Sequence, residues 1–160
     1  SKELLICGGD ETGTYDLLLY DIKKGEVIAE QTMTLDYVDC FYSEKNQCYV
    51  LVGFHEWYLL DGTDLTQKDT IDNEQMIDSV VGVNQDGSEI MIRTSGKLSI
   101  HDTTSGSVIQ ETTEGILENP VRDNYQYQYA KRLRNKNIWI YHDKHRIAKR
   151  NIAIFKTNQS

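Results

Sequence analysis

Carboxylates, imidazoles and basic side chains are the groups from which this chain could build a reactive or binding site. Three aspartates recur at the ends of short apolar runs: Leu17-Leu18-Leu19-Tyr20-Asp21, Trp57-Tyr58-Leu59-Leu60-Asp61 and Lys97-Leu98-Ser99-Ile100-His101-Asp102. They stand 40 and 41 residues apart, and each is followed by a tight polar turn. Acids are plentiful, but no spacing selects one pair for general acid–base work. Asp10, Glu11, Asp16 and Asp21 surround Gly8-Gly9 and Gly13. That stretch lacks the Gly-Lys-Ser/Thr ending and the following helix of a phosphate loop, and reads as a hairpin. His142-x-x-His145 with Asp143 places two imidazoles near each other, yet a metal needs three or four converging ligands and none is spaced to help. Neither a Gly-x-Ser-x-Gly elbow nor a motif-bearing Cys–His pair is present. Catalysis, a metal and a cofactor are therefore not expected.

Binding is a different matter. Residues 131–150 hold eight Lys and Arg and one acid, a net +7, which leaves −15 on the other 140 residues. Charge asymmetry of this kind speaks to partners and association. Lys131, Arg132, Arg134, Arg146, Lys149 and Arg150 are candidate contacts for an acidic partner, with a solvated hairpin as the competing reading. Nucleic acid is disfavoured, because the remaining −15 repels a phosphate backbone. Just upstream, Tyr125, Tyr127 and Tyr129 alternate with Gln126 and Gln128. On a strand, period two puts the three rings on one face. Tyrosine suits recognition surfaces, and it is also a good strand residue. The long link Glu114–Asn124 is a third candidate, since extended loops on a β scaffold carry binding.

These residues must be positioned by strands. β-branched and aromatic residues cluster in short runs between Gly, Asn, Asp and Ser. Unit one predicts strands at 4–7, 17–21 and 26–32. Unit two predicts 37–42, 48–52, 57–61 and 65–71, with a turn through Gly62. Unit three predicts 77–83, 89–93, 97–102 and 107–112. Unit four predicts 125–130, a basic turn, 137–142 and a run near 151–156. Asp86-Gly87 and Ser105-Gly106 supply the positive φ that tight turns need. One four-stranded sheet cannot bury both faces alone, and stacking sheets around an axis solves this. A period near 40 built of strands and turns is the mark of propeller blades.

The stretch from Asn84 to Gly106 resembles one whole WD40 repeat: Asn84-Gln85-Asp86-Gly87, Ser88–Arg93, Thr94-Ser95-Gly96, Lys97–Asp102 and Thr103-Thr104-Ser105-Gly106. The family's Trp-Asp dipeptide is His101-Asp102 here, matched by Tyr20-Asp21, Leu60-Asp61 and, with the Asp lost, Phe155-Lys156. No Gly-His dipeptide precedes a blade, so the family's hydrogen-bond network is not expected. Quinoprotein-type propellers, with Asp-x-x-x-Gly turns, fit units one and three almost as well.

The resemblance implies an all-β propeller segment of four-stranded antiparallel blades, with units at 1–35, 36–75, 76–113 and 114–160. About four units, incomplete at each end, suggest part of a larger propeller. The implied function is a non-catalytic protein-interaction scaffold, partnered by another protein or by the rest of the same propeller. A homodimer closing a ring and a self-assembling structural subunit are the other arrangements. The enzymatic alternative, a quinoprotein- or lactonase-like channel, meets runs at 4–7, 49–52 and 89–92 with few ionisable residues to line it. Cys7, Cys40 and Cys48 are odd in number and unclustered, so reduced thiols and a cytoplasmic setting are expected. No apolar run approaches the ~18 residues of a membrane span.

Overall fold

The computed structural model describes residues 2–8, 11–95 and 97–112. It also describes the backbone of three later strands at 128–132, 138–143 and 152–156. Fourteen strands are present among these residues. The first sheet holds β1 (Lys2–Gly8), β2 (Thr14–Asp21) and β3 (Glu26–Thr34). The second runs β4 (Asp39–Ser43), β5 (Cys48–Val52), β6 (Glu56–Asp61) and β7 (Gln67–Asp72). The third runs β8 (Ser79–Val83), β9 (Glu89–Thr94), β10 (Lys97–Asp102) and β11 (Val108–Thr112). The fourth holds β12 (Gln128–Arg132), β13 (Ile138–Asp143) and β14 (Ile152–Lys156). Every described pairing is antiparallel between neighbours in sequence.

Alternation along the central strands explains why the sheets stack. In β5, Cys48, Val50 and Val52 point one way and Tyr49 and Leu51 the other. The first set joins Trp57, Leu59, Ile71, Ile77, Ile90 and Ile92 in a core between the second and third sheets. The second set joins Leu60, Leu65, Leu17, Leu19, Met33 and Leu35 in a core between the first and second. One sheet thus supplies both cores, as a blade must. Each fully buried aliphatic side chain contributes about 2 kcal/mol relative to exposure. β9 is buried along its whole length.

β12 lies alongside β8, with Cα atoms within 8 Å, so the first strands of adjacent sheets draw together. This corrects the reading of 49–52 and 89–92 as channel-lining. Those runs are β5 and β9, second in their sheets, while β4 and β8 stand at the edge. Two further expectations shift. Lys131 and Arg132 belong to strand β12 and not to a basic turn. Leu65 lies in a turn ahead of β7.

Candidate functional site

The repeated aspartates turn out to build the frame. Asp21, Asp61 and Asp102 end β2, β6 and β10, and each carbonyl accepts a hydrogen bond from the amide four residues on: Gly25 at 2.8 Å, Leu65 at 3.0 Å and Gly106 at 2.9 Å. Each carboxylate also accepts backbone N–H bonds from the turn it opens. The donors are Lys24 at 3.0 Å, Thr63 at 2.8 Å, and both Thr104 and Ser105 at 3.0 and 2.9 Å. The fourth residue after each Asp has positive φ: 68° at Gly25, 62° at Leu65 and 74° at Gly106. A β-bulge follows at the same place in all three blades, between Leu19 and Tyr20, Leu59 and Leu60, and Ile100 and His101.

Gly62, the glycine of the second turn, serves a different purpose. A Cβ there would stand 2.8 Å from the Gln47 carbonyl oxygen, so it permits close approach while Leu65 takes the left-handed position. The electrostatic result is uniform. Hydrogen bonds from Thr63 hold the Asp61 carboxyl down at about 2, with the Lys68 ammonium 3.3 Å away adding to the effect. The backbone amide of Lys24 lowers Asp21 in the same way. Acids held ionised by local amides are turn caps and not proton donors.

A second constellation joins blade two to blade three. The Trp57 indole N–H donates to the Thr103 carbonyl at 2.8 Å. The hydroxyls of Thr103 and Ser43 both donate to the Gly87 carbonyl, at 2.8 and 2.9 Å. The Lys45 amide donates to the Asp86 carbonyl at 2.9 Å. Gly87 sits in the turn before β9 at φ 73°, and a Cβ on it would stand 2.5 Å from the Ser43 Cα. Ser43 and Thr103 are fully buried. Beside them the His101 ring meets Trp57 edge-on, centroids 5.8 Å apart. Its Nδ1 lies 2.9 Å from the Gly106 carbonyl and its Nε2 lies 2.8 Å from the Ser99 hydroxyl. A carbonyl only accepts, so Nδ1 carries the proton and Nε2 accepts from Ser99. Burial pushes the His101 pKa below its usual value. His101, expected to stand where the family places Trp, does stand at the end of the third strand and packs into the adjoining blade.

Among the described residues, concavities open at the surface between neighbouring blades. A cleft of about 670 Å³ lies between blades one and two, lined by Lys2, Leu4, Tyr42, Gln47, Tyr49, Asp61, Gly62, Thr63 and Lys68. Tyr42 and Tyr49 form a tilted pair 4.9 Å apart within it, and Tyr42 is 44% exposed. A smaller pocket of about 320 Å³ sits between blades two and three, with Asp72, Glu74, Glu111 and His101 among its walls.

The sequence-derived candidates fare unevenly. Tyr129, Lys131 and Arg132 fall in β12. Tyr125, Tyr127, Arg134, Arg146, Lys149, Arg150 and the Glu114–Asn124 link lie outside the described residues. His142 is in β13, and His145 also lies outside. Among the described residues, no group of three or more His, Cys, Asp or Glu is placed to hold a metal. Cys40 and Cys48 are free thiols, and burial pushes the Cys40 thiol up to about 12. No helix among the described residues is long and apolar enough to cross a membrane.

Stacked antiparallel sheets with this bulge-and-turn repeat define a partial β-propeller. No family model matches the sequence, and no curated protein matches it. Solved structures do. BamB from Moraxella catarrhalis superimposes with TM-score 0.61 at 11% identity, covering 98% of this chain and 46% of that one. The β-propeller domain of Myceliophteria thermophila Cps50 (Swd1) gives 0.57 at 12% identity, covering 98% and 54%. Kluyveromyces lactis Hsv2 gives 0.51 at 10% identity, covering 97% and 62%. The chain therefore spans about half the length of the propellers it resembles.

Proposed function

We propose that this chain is a non-catalytic protein-interaction module, a rigid scaffold that presents its cleft and turns to a polypeptide partner. The observation that carries the reading is the Tyr42–Tyr49 pair, half exposed in the cleft between blades one and two and flanked by Lys2 and Lys68. Tyrosines supply apolar contact area at low entropy cost, and lysines at the rim select acidic segments. The turn carboxylates are held ionised by backbone amides, which supports a structural role for them. A reducing, cytoplasmic setting fits the free thiols of half-buried Cys40 and buried Cys48. Lys131, Arg132 and Tyr129 of β12 remain candidate secondary contacts in this proposal.

Peptide-library selection against the folded chain tests the reading. Peptides with acidic residues near an apolar anchor are expected, and Tyr42→Ala should weaken them about tenfold or more, as loss of an aromatic anchor does. Peptides whose affinity ignores Tyr42→Ala and Lys68→Ala would refute it. A bound metal or cofactor near one per chain would instead favour the channel-enzyme alternative.

A further inference from the structure

At the end of the strands away from the aspartate turns, the links between blades are bonded to the turns beside them. The Leu35 amide donates to the Gly13 carbonyl at 3.1 Å, and the Val38 amide to the Val52 carbonyl at 2.8 Å. The Asn73 and Ile77 amides donate to the His55 and Phe54 carbonyls, each at 2.7 Å. The Asp78 amide donates to the Arg93 carbonyl at 2.8 Å, and the Thr94 hydroxyl to the Gln75 side chain at 3.1 Å. Backbone pinned in this way is preorganised, yet it holds large apolar side chains out to solvent. Tyr37 is 36% exposed, Phe54 36% and Met76 44%. Apolar groups presented on bonded backbone have the makings of a docking surface, because little ordering is left to do on binding.

Asp36, Asp72, Glu74 and Asp78 stand on the same links, all exposed. Among the described residues, no Lys or Arg pairs with these four acids, and Lys97 is the exposed Lys or Arg at this end. The pocket of about 320 Å³ between blades two and three belongs to this surface. The link that carries Met76 lines it with Asp72, Glu74 and Gln75, and Glu111 of β11 adds a third carboxylate. We propose that this end of the second and third sheets docks a basic segment of another protein. One lysine or arginine of that segment enters the inter-blade pocket, and an apolar neighbour rests on Phe54 and Met76. Charge complementarity selects the occupant, since an acidic segment here would meet like charge. The tyrosine cleft opens at the other end of the strands, beside the Asp61 turn, so the two surfaces are separate. Blades stack side by side around an axis, so further sheets flanking these four would leave this end of the second and third open.

Fluorescence anisotropy on the folded chain tests this with a labelled arginine- and leucine-rich peptide, and with a control peptide carrying glutamate in place of arginine. The basic peptide should bind saturably. Glu74→Lys and Met76→Ser, both at exposed positions, should each weaken it about tenfold or more. Glu44→Lys makes the same charge change in the turn after β4, at the other end of the strands, and should weaken it far less. Far-UV circular dichroism should be the same for all three variants. Acidic peptides at the tyrosine cleft should still bind Glu74→Lys, so the two readings stand or fall separately. Equal losses from Glu44→Lys and Glu74→Lys would mean attraction to net charge alone and would overturn the proposal. So would the lack of saturable binding, affinity indifferent to either Glu74→Lys or Met76→Ser, or binding abolished by Tyr42→Ala. Binding that appears only after Arg146, Lys149 and Arg150 are changed to serine would give the surface to the chain's own basic segment, which also overturns it.

Discussion

Gly87→Ala should destabilise the protein far more than Gly25→Ala, and the gap measures the joint between blades two and three. Both glycines have positive φ, 73° and 68°. An L residue in that conformation costs about 1–2 kcal/mol wherever it sits. At Gly25 little is added, because the new methyl would lie 3.7 Å from the Tyr20 hydroxyl, an ordinary contact. At Gly87 the methyl would lie 2.5 Å from the Ser43 Cα and 2.9 Å from its Cβ, so backbone must move. Overpacking of this kind costs about 1–3 kcal/mol. The movement also strains the Ser43 and Thr103 hydrogen bonds to the Gly87 carbonyl, each contributing about 1 kcal/mol. The expected losses are about 1–2 kcal/mol for Gly25→Ala and about 3–4 kcal/mol for Gly87→Ala. Urea unfolding followed by circular dichroism reads both, and thermal midpoints should fall by about 2–4 °C per kcal/mol for a chain of this size. Equal losses within about 0.5 kcal/mol would mean that the blades do not touch at Gly87, and the stacking argument would be wrong.

Other outcomes follow from the same geometry. Leu65→Gly relieves a left-handed leucine but removes a fully buried side chain; the cavity, at about 3–5 kcal/mol, outweighs about 1–2 kcal/mol of strain, so denaturant unfolding should show a net loss near 2 kcal/mol. His101 is held neutral in the fold, its pKa below the ordinary 6.5, so the unfolded chain binds more protons just below that value. Stability should therefore fall as pH drops below about 6.5, and His101→Gln should flatten this limb of the pH–stability curve. Asp61, held at about 2 against an ordinary 3.8, predicts a separate acid limb between those values, which Asp61→Asn should reduce. Cys40, half-buried with its thiol pushed up to about 12 by desolvation, should react slowly with maleimide in the native state and fast on unfolding; fast native labelling would contradict its placement.

Much of the fold could be read from local chemistry. The Asp repeat, the strands after it and the glycine turns at Gly25, Gly87 and Gly106 all depend on neighbours in sequence. Leu65 misled the reading because propensity assigns a leucine to the strand, whereas its burial between blades forces the turn position that glycine takes elsewhere. Lys131 and Arg132 read as a turn because charge was taken as a solvent signal, yet strand pairing is indifferent to it at a sheet edge. The Trp57–Thr103 bond and the Ser43–Gly87 joint were invisible for a simpler reason. They are 46 and 44 residues apart and exist only once two blades have stacked. The tyrosine cleft was missed likewise, since Tyr42 and Tyr49 meet across a strand pair and Lys2 reaches them from another blade. Conversely, the three repeated aspartates, which no spacing singled out for chemistry, are bound by the amides of their own turns.

The most direct test of the blade account is a nuclear Overhauser measurement on the Trp57 indole N–H. Stacked blades place that proton against Thr103 and the Trp57 ring edge-on to His101, so cross-peaks to Thr103 and His101 should appear beside the cross-strand contacts of Val50 with Leu59 and of Ile92 with Ser99. Cross-strand contacts without any Trp57 contact to Thr103 or His101 would mean that the sheets form but do not stack as blades, and the account would fail at its centre.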